Sequence, residues 1–240
     1  MCTVMFLPKD DKVIMVSCRD EDPRRPITEA PEVFVNNGLG MIYPQDGGAG
    51  GTWIGINEHG HVLILLNGAF EKHAREMNYR KSRGLIVKEM LSAQYPVSYW
   101  DELLLHQIEP FTLVIWAWAS LHELVWDGHH KHHVVHDPQQ PHIWSSATLY
   151  DTAAKAQRKQ WFTDGLTHGL LNHPNDVLSF LQAHRDAENG FVMNRHPHLA
   201  TLSIGIVEQK QNRLRFNYLD VGSNILSTQT LFSFSQIQES

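Results

Sequence analysis

"MCTVMFLPKDDKVIMVSCRDED" (residues 1–22) holds two short apolar runs, 2–7 and 12–18, separated by Pro-Lys-Asp-Asp. That pattern predicts an antiparallel hairpin. Its second arm returns beside the start of the first, so Arg19 and Asp20 fall next to Cys2. Once Met1 is removed, Cys2 carries its thiol and the chain's α-amino group on one residue, and a small second residue is what methionine aminopeptidases accept. With a reference pKa near ~8, that amine takes the thiol proton directly or through a water, so that nucleophile and base come from one residue. A neighbouring arginine lowers the thiol pKa further. Taken alone, a cysteine at position 2 is usually a small apolar filler, and residues 19–20 also read as a solvated ion pair; the rest of the chain has to decide.

A length of 240 residues accommodates one sizeable domain, read as 1–240. The apolar fraction of 42% and charged fraction of 19% are those of a globular protein. A net charge of −6 repels phosphate backbones and argues against nucleic acid as the main partner. No stretch approaches the roughly 20 apolar residues of a membrane span; the densest run, "FTLVIWAWASL" (111–121), reads as a buried strand. The start lacks the basic leader of a secretory signal. The two cysteines, Cys2 and Cys18, give no disulfide framework, so a reducing cytoplasm is the expected setting.

Along the chain, "RDEDPRRPITEAPEV" (19–33) reads as an ordered loop, because its prolines forbid a regular helix. "TWIGI" and "HVLILLN", joined by "NEHG" with Gly60 at the turn, form a second hairpin. Helices are predicted over 79–94, over 98–108 with Ser98 as cap, over 148–171 and over 174–186 with Pro174 in the first turn. Strands are predicted at 111–119, 122–128, 132–137, 200–208, 213–220 and 230–235. Blocks of strands alternate with blocks of helices, which implies two mainly antiparallel sheets with helices packed outside, a layered α+β arrangement.

"CRDEDPRRP" (18–26) resembles the Asn-Arg-Asp-Glu signature and following Arg-Pro of the NRDE family, which includes the transport and Golgi organisation 2 proteins. "MCT" at the start, "GGTWIGINEHGHVLILLN" (50–67), "SRGLIVKEML" (82–91) and "WSSATLYD" (144–151) extend the resemblance over roughly the first two-thirds of the chain. The family is similar to the cysteine branch of the N-terminal nucleophile hydrolases, which includes penicillin V acylases and bile salt hydrolases. The resemblance therefore implies a four-layer αββα sandwich. It matches Cys2 to the nucleophile, Arg19 and Asp20 to the groups holding the reacting amine and substrate, and Asn67 to an asparagine of the oxyanion hole. Ser146 falls where the family has a further asparagine, and Arg195 aligns weakly with a late arginine. Three positions depart from the pattern: Cys18 and Ser146 stand for asparagines and Ala69 for an arginine. Loss of one oxyanion donor lowers acyl-transfer catalysis on the order of 10²–10³-fold.

Two function classes follow. One is a hydrolase of an amide or thioester of a small acyl compound. The other, also implied by the resemblance, is a non-enzymatic carrier of haem or acyl-CoA-type lipids. The partner in either case is a small acyl substrate or an apolar ligand, and the sequence specifies no cofactor. The histidine-rich "GHHKHHVVHD" (128–137) is the one metal-like feature. Strand alternation splits its histidines between two faces, so it reads as an exposed polar hairpin. Glycines 47, 48, 50 and 51 do not open a helix and lack the lysine of a P-loop, so they read as a flexible turn beside the active site.

Overall fold

A computed structural model describes residues 3–26, 28–73 and 78–234. Its elements, in chain order, are β1 (Thr3–Lys9), β2 (Lys12–Glu21), β3 (Glu29–Asn36), β4 (Leu39–Gln45), β5 (Ile54–Asn57), β6 (Val62–Asn67), α1 (Arg83–Leu91) and α2 (Pro96–Glu102). There follow β7 (Phe111–Ala117), β8 (Ser120–Trp126), β9 (Lys131–His136), β10 (His142–Ser145), α3 (Thr152–Thr167), α4 (Pro174–Ala183), β11 (Asn194–Arg195), β12 (Leu199–Lys210), β13 (Arg213–Asp220) and β14 (Ile225–Phe232).

The strands form two antiparallel sheets. One runs β10-β1-β2-β12-β13-β14, with β11 beside β12; the other runs β3-β4-β5-β6-β7-β8-β9. Helices α1 and α2 cover the outer face of the second sheet and α3 and α4 that of the first, giving an αββα sandwich. Strands β1 and β2 are buried on both faces, so they read as continuous apolar runs. Alternation sends Val4, Phe6 and Met15 into the space between the sheets, and Met5, Leu7, Ile14, Val16 and Cys18 against Phe162 of α3 and Val177 and Leu181 of α4.

Several sequence expectations are corrected. Residues 19–21 belong to strand β2 rather than to a loop, and β3 begins at Glu29. Pro31 is tolerated there because β3 is an edge strand whose pairing with β4 shifts register between Glu29 and Glu32. Helix α2 starts at Pro96, with Tyr95 rather than Ser98 at its N-cap, as suits a residue with no N–H to satisfy. The strand predicted at 111–119 ends at Ala117, and Trp118 lies in the β7–β8 turn, 40% exposed.

Candidate active site

The β1–β2 ladder sets the site. Its register pairs Thr3 with Cys18, and directly opposed residues share a face. That face turns toward α3; Arg19, one step on, turns the other way, into the space between the sheets. There the Arg19 guanidinium is 3% exposed. It lies 4.2 Å over the Trp53 ring, donates from Nη2 to Asp46 Oδ2 at 2.7 Å and from Nη1 to Thr28 Oγ1 at 2.9 Å.

Asp46 closes the arrangement. Its Oδ1 accepts from the N–H groups of Gly48 at 3.0 Å and Ala49 at 2.8 Å, the Asx-turn geometry expected of an Asp leading a glycine run. Arg25 Nη2 reaches the same oxygen at 3.2 Å. Burial alone would raise this carboxyl, but the Ala49 N–H and the two arginines outweigh it and hold its pKa below 3.8. Burial likewise pushes the Arg19 pKa down, with Asp46 opposing. The glycine run is thus a turn held against the β2 end by one carboxylate.

These groups line one wall of an open cleft of about 430 Å³, counted out to its mouth. Asn67, at the end of β6, and Arg83, at the start of α1, lie along the rest. Arg83 is held by Glu109 at 3.0 Å and by the Pro110 carbonyl at 3.1 Å. The glycine turn meets α1 closely: Thr52 N–H donates to the Gly84 carbonyl at 3.1 Å.

Asp20 does not share the cleft with Arg19. It faces α3, 1% exposed, and accepts from Tyr150 Oη at 2.7 Å and Thr201 Oγ1 at 2.5 Å. Behind it lies Arg158, fully buried, whose guanidinium stacks 3.7 Å from the Tyr150 ring centroid and donates to Tyr150 Oη at 2.6 Å and to Thr3 Oγ1. Two charged clusters therefore flank the head of β1, one on each face of its sheet.

Ser146 is 1% exposed; its hydroxyl donates to the Asn67 carbonyl at 2.7 Å and meets Thr148 Oγ1 at 3.0 Å. It ties β10 to β6 and is not among the residues lining the cleft. Arg195 braces a loop, donating to the Glu188 carbonyl at 2.7 Å and to Asn189 Oδ1 at 3.0 Å. Cys2 lies outside the described residues. Cys18 is wholly buried, and burial, reinforced by Asp20, pushes its thiol well above the usual range. Among the described residues no group of three or more histidine, cysteine or acidic side chains gathers as a metal site.

Sequence reasoning missed Asp46, Trp53, Tyr150 and Arg158. The Asp-Gly pair at 46–47 was the available signal for Asp46. Arg158 sits among the charged residues of α3, where nothing distinguishes a buried arginine from a solvated one.

The model of the family described as Transport and Golgi organisation 2 matches residues 1–206. No match is found among curated protein sequences. Among solved structures, the Caenorhabditis elegans N-acylethanolamine-hydrolyzing acid amidase ortholog is similar at a TM-score of 0.59 and 10% identity, over 85% of this chain and 92% of that one. A variant of the conjugated bile acid hydrolase from Clostridium perfringens is similar at a TM-score of 0.51 and 11% identity, over 99% of both chains. The likeness establishes the fold, an αββα sandwich.

Proposed function

The chain belongs to the Transport and Golgi organisation 2 family, and from that premise we propose that it is an N-terminal cysteine hydrolase acting on an amide or thioester of a small acyl compound. The observation that carries this reading is the buried Arg19 guanidinium at the inter-sheet cleft. The β1–β2 ladder has its last described pair at Thr3 and Cys18, and the reading rests on the expectation from the sequence that Cys2 stands beside Arg19. After removal of Met1, the Cys2 sulfur attacks the carbonyl carbon and its proton passes to its own amine and then to the leaving nitrogen or sulfur. Water hydrolyses the resulting thioester, releasing the acid and the free thiol. Arg19 keeps the thiolate populated, and Asn67, elsewhere in the lining of the same cleft, is the donor to the developing oxyanion.

A second reading, a carrier of haem or acyl-CoA-type lipids, is favoured by one observation: the Ser146 hydroxyl is spent on the Asn67 carbonyl rather than offered to the cleft. Small acyl compounds suit the acyl-amidase likeness of the fold; a cytoplasmic setting and a single domain over 1–240 belong to the same proposal.

Intact-mass measurement and a panel of acyl amides and thioesters separate the readings. The enzyme loses Met1, Cys2 is alkylated by iodoacetamide far faster than buried Cys18, and Cys2→Ser abolishes turnover with the fold intact. Retained Met1, sluggish alkylation at position 2 and no turnover across the panel would overturn it, and saturable ligand binding by Cys2→Ser would then establish the carrier.

A further inference from the structure

At the end of the sandwich remote from Arg19, the β7–β8 hairpin turns through Trp118 and Ala119, both left-handed, at φ 53° and 55°. Such a turn is made cheaply by Asn-Gly, and each non-glycine residue there costs about 1 kcal/mol or more. A tryptophan at that position, left 40% exposed, is a costly choice for the hairpin alone, and strain of this kind concentrates at ligand sites.

Trp118 forms the wall of an open cleft of about 640 Å³, counted out to its mouth, with Trp116, His59 and Phe234 as the other aromatic surfaces. The Trp118 ring is held in place from behind, by Tyr95 stacked at 5.7 Å and by His61 edge-on at 5.1 Å. The opposite wall is the β12–β13 turn, carrying the amides of Gln209, Gln211 and Asn212. Gln209 Oε1 accepts from Trp116 Nε1 at 2.7 Å, which orients both; its Nε2 and the side-chain amides of Gln211 and Asn212 have no hydrogen-bond partner among the described residues. Among the described residues no Asp, Glu, Lys or Arg lines the cleft. Burial lowers the pKa of His59 and brings that of His61 to about 3, so both rings are neutral at pH 7.

Flat aromatic faces set opposite uncharged amides match a ligand that offers C–H faces and hydroxyl groups without charge. An anion or a cation would find no counter-charge, and a purely apolar ligand would leave the amides desolvated and unpaired. We propose that this cleft binds a neutral saccharide, stacked on Trp118 and hydrogen-bonded to Gln209, Gln211 and Asn212. The site is separate from the Arg19 cleft and does not depend on hydrolytic activity.

Titration of the whole protein with α- and β-linked glucose tetramers, a glucose phosphate and indole, followed through indole N–H resonances, tests this. Saturable shifts of the Trp116 and Trp118 signals are expected with a tetramer, and Trp118→Ala weakens binding about tenfold. Trp118→Asn keeps the turn folded, because asparagine accepts the left-handed region, and it loses binding equally. Absence of a saturable shift with both tetramers, binding retained in Trp118→Asn, or tighter binding of indole or the phosphate overturns the assignment.

Discussion

Asp46 is where the charge balance of the Arg19 cleft is decided. It neutralises a guanidinium that is 3% exposed and receives a second arginine and two backbone N–H groups. Asp46→Asn leaves Arg19 buried with an uncompensated charge, so a loss of about 2–3 kcal/mol is expected in urea unfolding at pH 7. The native carboxyl's pKa lies below 3.8, so the unfolded chain takes up the proton first. The stability Asp46 contributes is therefore complete above the unfolded value and is lost as pH falls through the folded one. The variant and the native protein should converge toward acid, and a gap that widened there would contradict the ion-pair account. Ser146 makes a smaller test at the same scale. Removing a buried hydroxyl that satisfies the Asn67 carbonyl should cost about 1–2 kcal/mol, and Ser146→Ala should leave alkylation of Cys2 unchanged because the hydroxyl points away from the cleft.

Between elements, the decisive junction is the glycine turn against the start of α1. A Cβ on Gly51 would lie 2.5 Å from the Gly84 carbonyl carbon and 2.7 Å from its Cα, closer than real atoms approach. Because the obstacle is backbone on a capped helix, it cannot swing aside. Gly51→Ala should cost about 1–3 kcal/mol and reshape the cleft, with hydrogen exchange at Thr52 and Leu85 accelerating together; unchanged protection at both would show the contact to be slack. This junction also marks the limit of what was legible beforehand. The run "GGTW" announced a turn and a strand, and the short apolar runs of β1, β2, β5 and β6 between turn signals announced the sheets. Neither states that Gly51 must pass within reach of Gly84, since that proximity is made by packing between elements distant in the chain. The same reasoning explains Arg19 and Asp20. Adjacency in sequence suggested one joint site, but β2 runs on through both residues, and a strand throws neighbours to opposite faces. Strand β3 escaped notice because prolines and acids mask an edge strand that buries little.

Across the whole molecule, the two ends of the sandwich respond differently to pH. The Arg19 end holds its charges in pairs. The other end buries His61 completely, with Nε2 unpartnered among the described residues, and burial, aided by His59, lowers its pKa to about 3. A free histidine has a pKa near 6.5, so the unfolded chain binds a proton between those values while the folded chain refuses it. Stability therefore rises with pH across that window and levels off above it. With 1.36 kcal/mol for each pKa unit, the penalty reaches about 2 kcal/mol at pH 5 relative to pH 7. His61→Phe keeps an aromatic ring against Trp118 but removes the titrating group. Its urea midpoint should fall less than the native protein's between pH 7 and pH 5, by about that amount of free energy. If both proteins lose stability in parallel over this range, His61 is protonated in the folded state and its Nε2 has a partner.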